Sequence, residues 1–409
     1  MRQLPPATRA AAAPSSRPQR PRAALPALCL TQITSWGIVY YAFPVLNPQI
    51  TAATGWSAAA TTGAFSAALL VSAVAGIRIG RILDARGPRT VMTAGSVFGT
   101  ASLIIIATAP NLAVFTAGWL LAGLAMASTF YQPAFAALTR WWAPEHIRAL
   151  TIVTLAGGLA STVFAPLTAL LASHFSWRHT YLLLAAVLAA VTVPAHALAL
   201  RGPWPPALAP PITRKALSTA AIARSRSFLF LAGALTLSAF AMYAVVITLV
   251  PLLLDRGYTA TQAAWALGLG GAGQTLGRTL YAALARRSTP AVRAAVLIGL
   301  GGSTTAAFAL IPGPYPLLAT LAVIAGTVRG NLTLLQATAI TDRWGTHRYG
   351  RLSGLLAAPA TTASALAPFA GTALAVPLGG YPHLFAVLAL VSATAAVMAW
   401  QTAPSDSPR

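Results

Sequence analysis

Acidic residues are nearly missing from this chain. Of 409 residues only five are Asp or Glu, against 27 Lys and Arg, and charged residues of both signs make up 8% of the whole. None of the five falls in the interior of an apolar block, so carboxylate relays of the kind that proton pumps use have no members here. Cysteine occurs once, at Cys29, which excludes an intramolecular disulfide and a multi-thiolate metal centre. The six histidines are scattered with no ligand spacing, so neither a metal nor any other cofactor is expected. No nucleophile, base and metal cluster is grouped at one depth, so the chain is not expected to be an enzyme.

What is present is apolar. Hydrophobic residues make up 57% of the sequence and recur in blocks of about 20, the length a helix needs to cross a bilayer. The net charge of +22 does not indicate a nucleic-acid partner, because the arginines fall between apolar blocks and not along one polar face. Breaks at Gly, Pro and Arg clusters give an all-α, polytopic membrane protein with twelve spans. They are numbered α1 to α12 and run over 26–50, 57–77, 90–109, 112–138, 149–172, 179–200, 228–253, 261–284, 291–311, 315–339, 352–376 and 382–401.

With both termini on one side, Arg178 and Arg256 fall on the other side and Arg278 and Arg329 inside spans. That leaves 23 of the 27 Lys and Arg on the side of the termini. By the positive-inside rule that side is the cytoplasm and the protein sits in the plasma membrane, or inner membrane, with the lipid bilayer as its solvent. Residues 1–25, rich in Pro, Ala and Arg, read as a disordered basic tail. An organelle transit peptide shares that composition, but the tail is short and runs straight into a span. Residues 26–200 form a first six-helix bundle, 201–227 a Pro-rich basic linker, 228–401 a second bundle and 402–409 a short tail.

The halves are related. Tyr40, Pro48, Arg140, Trp141 and Arg148 recur as Tyr243, Pro251, Arg343, Trp344 and Arg351, at a constant shift of 203 residues. A duplicated six-helix unit is the arrangement in which two bundles rock about a central site.

Between α2 and α3 lies a basic loop, Gly80 to Arg89, carrying Gly80, Asp84, Arg86, Gly87 and Arg89 in the form G-x-x-x-D-x-R-G-x-R. With its place after the second of twelve spans, this loop resembles that of the major facilitator superfamily, and the resemblance covers the chain except its N-terminal tail. It implies a conformational latch in which Asp and Arg hold the bundles together on the cytoplasmic side in the outward-open state. Anchoring by the positive-inside rule explains the arginines without a latch, and both readings stand. A degenerate copy, Gly277-Arg278 through Arg286-Arg287, follows in α8 without its Asp. Trp36-Gly37, Tyr40-Tyr41, Phe43, Pro48 and Gly55-Trp56-Ser57 further resemble the opening of the oxalate-formate exchangers and monocarboxylate porters, which implies a small organic anion as substrate.

Arg329 stands 14 residues before Arg343 and about as far after Pro314, about 21 Å of helix from either end. A mid-membrane Arg costs roughly 2.5–3.5 kcal/mol on insertion scales and cannot snorkel that far. It either binds an anion or ties to backbone carbonyls. Arg278 lies eight residues before Arg286, so snorkelling remains open from spacing alone; the resemblance implies a substrate-pairing arginine in α8, which Arg278 matches. Some of those porters carry an aspartate four residues earlier, where this chain has Gln274. The exchangers' lysine in α11 has no counterpart here.

Trp36, Tyr40, Phe43 and Asn47 fall on one stripe of α1, and Thr236, Phe240 and Tyr243 on one of α7, as packing or as a ligand wall. Ser128 with Gln132 on α4, and Arg329, Thr333 and Gln336 on α10, add polar groups that could instead bond between helices. Gly268-x-Gly270-x-x-Gly273 spells a dinucleotide fingerprint in mid-span, where close helix packing explains it. The resulting expectation is a monomeric transporter of an anion by alternating access, using Arg278, Arg329, Tyr40, Trp36, Gln132, Tyr243, Gln336, Thr333 and Gln274. A drug or metabolite efflux permease of the same fold is the alternative.

Overall fold

The computed structural model describes residues 20–142, 146–204, 219–344 and 349–402. Most of both expected tails and of the expected linker lie outside these. The described residues are helical throughout, with no strand among them. α1 comprises Ala24–Ser35, a π turn Trp36–Tyr41, and Ala42–Thr54. α2 is Ala58–Arg86 and α3 Pro88–Thr108. α4 comprises Leu112–Thr129 and Tyr131–Trp141, and α5 His146–Gly158 and Ala160–His174. α6 is Trp177–Pro194 with a terminal π turn, Ala195–Ala199. The second half runs α7 Arg226–Asp255, α8 Ala260–Arg287, α9 Pro290–Leu310, α10 Tyr315–Thr338, α11 Tyr349–Ala375 and α12 Tyr381–Trp400. Short helices Thr219–Ala223 and Thr341–Trp344 precede α7 and α11. Nine of the described helices are long and apolar enough to cross a membrane on those grounds alone.

The starts are written in the sequence as N-caps. Ser57, Asn111, Ser176, Ser225, Thr259 and Thr289 each accept from a backbone N–H of the following first turn. The two arginines on the side away from the termini cap helix ends as well. Arg178 donates to the Ala107 carbonyl at 2.7 Å at the end of α3, and Arg256 to the Ile311 carbonyl at 2.9 Å beyond α9.

Two expectations need correcting. The span 57–77 continues as helix to Arg86, so the expected loop Gly80 to Arg89 is helix except at Gly87, whose φ of +78° makes the whole turn. Apolar length reports the thickness of hydrocarbon, and helix persists beyond it until a breaker, here Gly87-Pro88. α4 is not continuous either. Phe130 is extended, with ψ −162°, so Ser128 and Gln132 do not share a face. Pro133 has no N–H to offer the Thr129 carbonyl, which instead accepts from Gln32 Nε2 of α1 at 2.6 Å.

α8 and α10 meet backbone to backbone. A Cβ built on Gly273 would stand 2.1 Å from the Val323 carbonyl oxygen, one on Gly277 1.9 Å from that of Thr327, and one on Gly326 1.9 Å from that of Gly270. Close packing thus accounts for the dinucleotide-like glycines.

The helices form two six-helix bundles whose cores are joined on one side only. A single cluster links Phe43, Leu46 and Phe65 of the first half with Val250, Leu253 and Leu267 of the second, on the side away from the termini. Toward the termini the cores are separate: Leu28, Met92 and Trp141 belong to one, Phe228, Leu335 and Leu356 to another. Hydrogen bonds across the joined side run from Thr162 Oγ1 to the Gly268 carbonyl at 2.9 Å and from the Phe369 N–H to Ser66 Oγ at 3.1 Å.

Candidate functional site

A cavity of about 250 Å³ lies between the bundles, lined by Trp36, Tyr40, Ser72, Met126, Phe130, Tyr131, Gln132, Tyr243, Thr361 and Ser364, among others. The π turn and the α4 break build it. At Gly37 a side chain would collide with the Phe164 ring, 2.1 Å from a built Cβ, so α1 lies close on α5 there. The extra residue of the π turn shifts the helical phase, and the expected aromatic stripe divides. Trp36 and Tyr40 face the cavity, Phe43 stacks on Phe65 with centroids 4.6 Å apart, and Asn47 reaches a different cavity. Trp36 stacks on Phe130 at 4.0 Å, and Tyr40 meets its counterpart Tyr243 edge-on at 6.5 Å. Phe240 packs instead against a core of the second half, and Thr236 bonds the Ala232 carbonyl of its own helix.

Neither arginine lines this cavity: Arg278 stands behind Tyr131, and Arg329 lines a separate cavity of about 50 Å³ within the second half, with Ser238, Met242 and Thr305. Arg278 is 7% exposed and its Nη1 donates to the Thr154 carbonyl of α5 across the bundle boundary. Tyr131, which does line the cavity, stands beside the same guanidinium. Gly157 and Gly158 make room for this pair: Cβ atoms built there would come within 2.3 Å of the Tyr131 hydroxyl and 3.1 Å of Arg278 Nη1. Arg329 lies beside Gly270, with Nη2 3.6 Å from the Cβ that glycine omits.

Most of the polar atoms left without partners around the cavity can donate; Gln32 Oε1, whose amide bonds the Thr129 carbonyl at the α4 break, is an unpartnered acceptor. Trp36 Nε1, the Tyr40 hydroxyl, Arg278 Nε, and Arg329 Nε and Nη2 are buried with no hydrogen bond among the described residues. Gln132 reaches toward Gly76 of α2. Gln274, Thr333 and Gln336 lie outside the cavity; Thr333 bonds the Arg329 carbonyl at 3.2 Å.

At the end nearer the termini, Asp84 is ion-paired with Arg140 of its own bundle, and Trp204 Nε1 donates to the Asp84 carbonyl at 3.0 Å. Arg140 also lies over the Trp204 ring at 4.5 Å. Arg89 Nε binds the Ala197 carbonyl at 2.9 Å, while Gly80 has open space around it and Arg86 ends α2. In the second half the sequence reading misses a pair: Arg293, 3% exposed, meets Asp342, one residue before the repeat's Arg343. It also misses Phe130 and Tyr131, although Pro133 signals the break that positions them.

Residues 28–356 and 229–409 match the profile of a family described as Major Facilitator Superfamily. Among curated relatives, monocarboxylate transporter 11 of Mus musculus is 31% identical over 242 residues, 57% of this chain and 53% of the mouse protein. Monocarboxylate transporter 13 of Rattus norvegicus is 28% identical over 320 residues, 75% of this chain and 69% of the rat protein. The chain thus spans about half the length of the first and about two thirds of the second. Among solved structures, a bacterial homologue of the human lysosomal transporter Spinster, in an inward-facing and occupied conformation, superposes with a TM-score of 0.72. It covers 93% of this chain and 96% of its own, at 16% identity, and shows the fold alone.

Proposed function

The chain belongs to the Major Facilitator Superfamily, a multi-pass membrane transporter and not an enzyme, and we propose that its substrate is a small organic anion of the monocarboxylate kind. The observation that carries this reading is the set of unpartnered donors at the central cavity. The Trp36 indole N–H and the Tyr40 hydroxyl at its wall, with the Arg278 guanidinium behind Tyr131, favour a ligand rich in acceptors and negative charge, and Arg329 in a separate cavity of the second half adds to the positive field. No carboxylate among the described residues competes for them, since the described acidic residues lie at or beyond helix ends.

Transport runs by alternating access. The side bearing the termini and 23 of the basic residues faces the cytoplasm of a plasma membrane, so separate cores there and a joined core opposite make this conformation inward-facing. Asp84 and Arg140 hold their own bundle together in this state, and the latch of Gly80, Asp84, Arg86, Gly87 and Arg89 engages the second bundle when the cytoplasmic side closes. Residues 26–200 and 228–401 act as the two rocking units, and the monomer is the working unit.

The apolar wall of Trp36, Phe130 and Met126 favours a second reading, efflux of an amphipathic compound. Thermal unfolding against a panel of mono- and dicarboxylates, phosphate and hydrophobic cations separates the two. We expect monocarboxylates to raise the melting temperature and Arg278→Gln to remove that rise. Stabilisation by hydrophobic compounds alone overturns the anion reading.

A further inference from the structure

On the side away from the termini a second cavity, of about 160 Å³, lies between the bundles. α1 and α2 supply Pro44, Asn47, Pro48, Thr51 and Thr62; α7, α11 and α12 supply Ile247, Pro251, Asp255, Thr372 and Tyr381. Its chemistry is opposite to that of the central cavity. Thr51, Thr62 and Thr372 donate their hydroxyl hydrogens to the carbonyls of Pro48, Ala58 and Pro368, at 2.9, 2.7 and 2.9 Å. Only their oxygen lone pairs are left to offer. Pro48 and Pro251, equivalent under the 203-residue repeat, have no N–H, so the carbonyls of Pro44 and Ile247 lose their helical donors.

Asn47 is 7% exposed and its Oδ1 is buried without a partner. The Asp255 carboxylate, exposed at the rim of the cavity, makes no hydrogen bond or ion pair among the described residues. The neighbouring cation, Arg256, is turned away to the carbonyls of Phe308, Ala309 and Ile311. Side-chain donors at the cavity are confined to the Asn47 amide and the Tyr381 hydroxyl.

We propose that this acceptor-rich cavity binds a small monovalent cation, sodium or hydronium, while the bundles are closed on this side. Its volume holds the ion and a few waters at about 30 Å³ each. Because both bundles line it, the ion's ligands come together only in this conformation, and binding shifts the population toward it. A second ligand of opposite charge thereby enters the transport cycle away from the anion. The titratable group facing Asp255 is Tyr381 on α12. Tyr258 is engaged with the Pro312 carbonyl at 3.2 Å.

The test is thermal unfolding of the purified full chain in detergent, at constant ionic strength. Sodium chloride is compared with choline chloride, and neutral with mildly acidic pH, for the wild type, Asp255→Asn and Thr62→Val. We expect a saturable rise of about 2 °C with sodium, or with acidification. Asp255→Asn removes it and Thr62→Val weakens it. A response to sodium identifies sodium as the ion, and one to pH alone identifies hydronium. A response to neither, or one undiminished in Asp255→Asn, overturns the proposal. If Asp255→Asn does not fold, an unchanged response in Thr62→Val overturns it. No carboxylate is present in the assay, so its outcome is independent of the anion reading.

Discussion

Arg329→Gln abolishes transport while leaving the protein at least as stable as the wild type. The two effects have opposite signs because Arg329 Nε and Nη2 are buried with nothing to bind among the described residues. An unpaired buried donor costs about 1–3 kcal/mol, more when charged, and the smaller neutral amide relieves that cost. Losing a charge-assisted contact to a bound anion costs about 2–5 kcal/mol, roughly 30-fold or more in affinity. Uptake in proteoliposomes and the melting temperature of the same preparation check the pair of signs. A fall in stability with transport intact would make Arg329 a structural tie. Arg278→Gln provides the contrast: its guanidinium already donates to the Thr154 carbonyl across the bundle boundary, so this variant loses stability as well as transport.

Gly326→Ala prevents accumulation of folded protein. The added methyl would stand 1.9 Å from the Gly270 carbonyl oxygen, a backbone atom that no rotamer change can move. α8 and α10 must then separate, and the contacts at Gly273, Gly277 and Gly330 loosen with them. Overpacking typically costs about 1–3 kcal/mol, and a forced helix separation belongs at or above the upper end. That is a large part of a stability of about 5–15 kcal/mol. Gly354→Ala in α11 is the control, with nothing within 4 Å of the added carbon. There the same change stabilises by about 0.5–1 kcal/mol through helix entropy alone. Size-exclusion profiles of the two variants decide the matter; a well-folded Gly326→Ala protein would show that the seam yields.

The twelve spans were legible because hydrocarbon demands uninterrupted apolar blocks, and the 203-residue shift exposed the two halves. Arg329 was legible for the same reason, as a cation too far from either surface to snorkel, whereas spacing left Arg278 open and only the family resemblance singled it out. Helix phase was not. A stripe drawn along α1 at 3.6 residues per turn cannot survive the π turn Trp36–Tyr41, so Phe43 belongs to the core and Asn47 to the other cavity. The α4 break depends on Gln32, 97 residues away, taking the carbonyl that Pro133 leaves open. The Arg293–Asp342 pair likewise joins residues 49 apart, outside any motif. Local spacing carries no record of such partners.

Tyr40 and Tyr243 occupy equivalent places in the repeat and touch each other, which puts the central cavity on the axis relating the halves. The arginines break that symmetry. Under the 203-residue shift, Arg278 and Arg329 correspond to Ala75 and Met126, so the positive pole is confined to the second half and an oily pole faces it. On the proposed anion reading, a substrate with one ionised end and one alkyl end has a preferred heading, its head group toward α8 and α10 and its tail toward Phe130 and Met126. On that reading, a diacid would have to press its second carboxylate against Met126 and the Phe130 ring. If the cargo is the proposed anion, the cavity's lopsidedness acts as a ruler for valence, favouring singly charged cargo over doubly charged cargo of the same length.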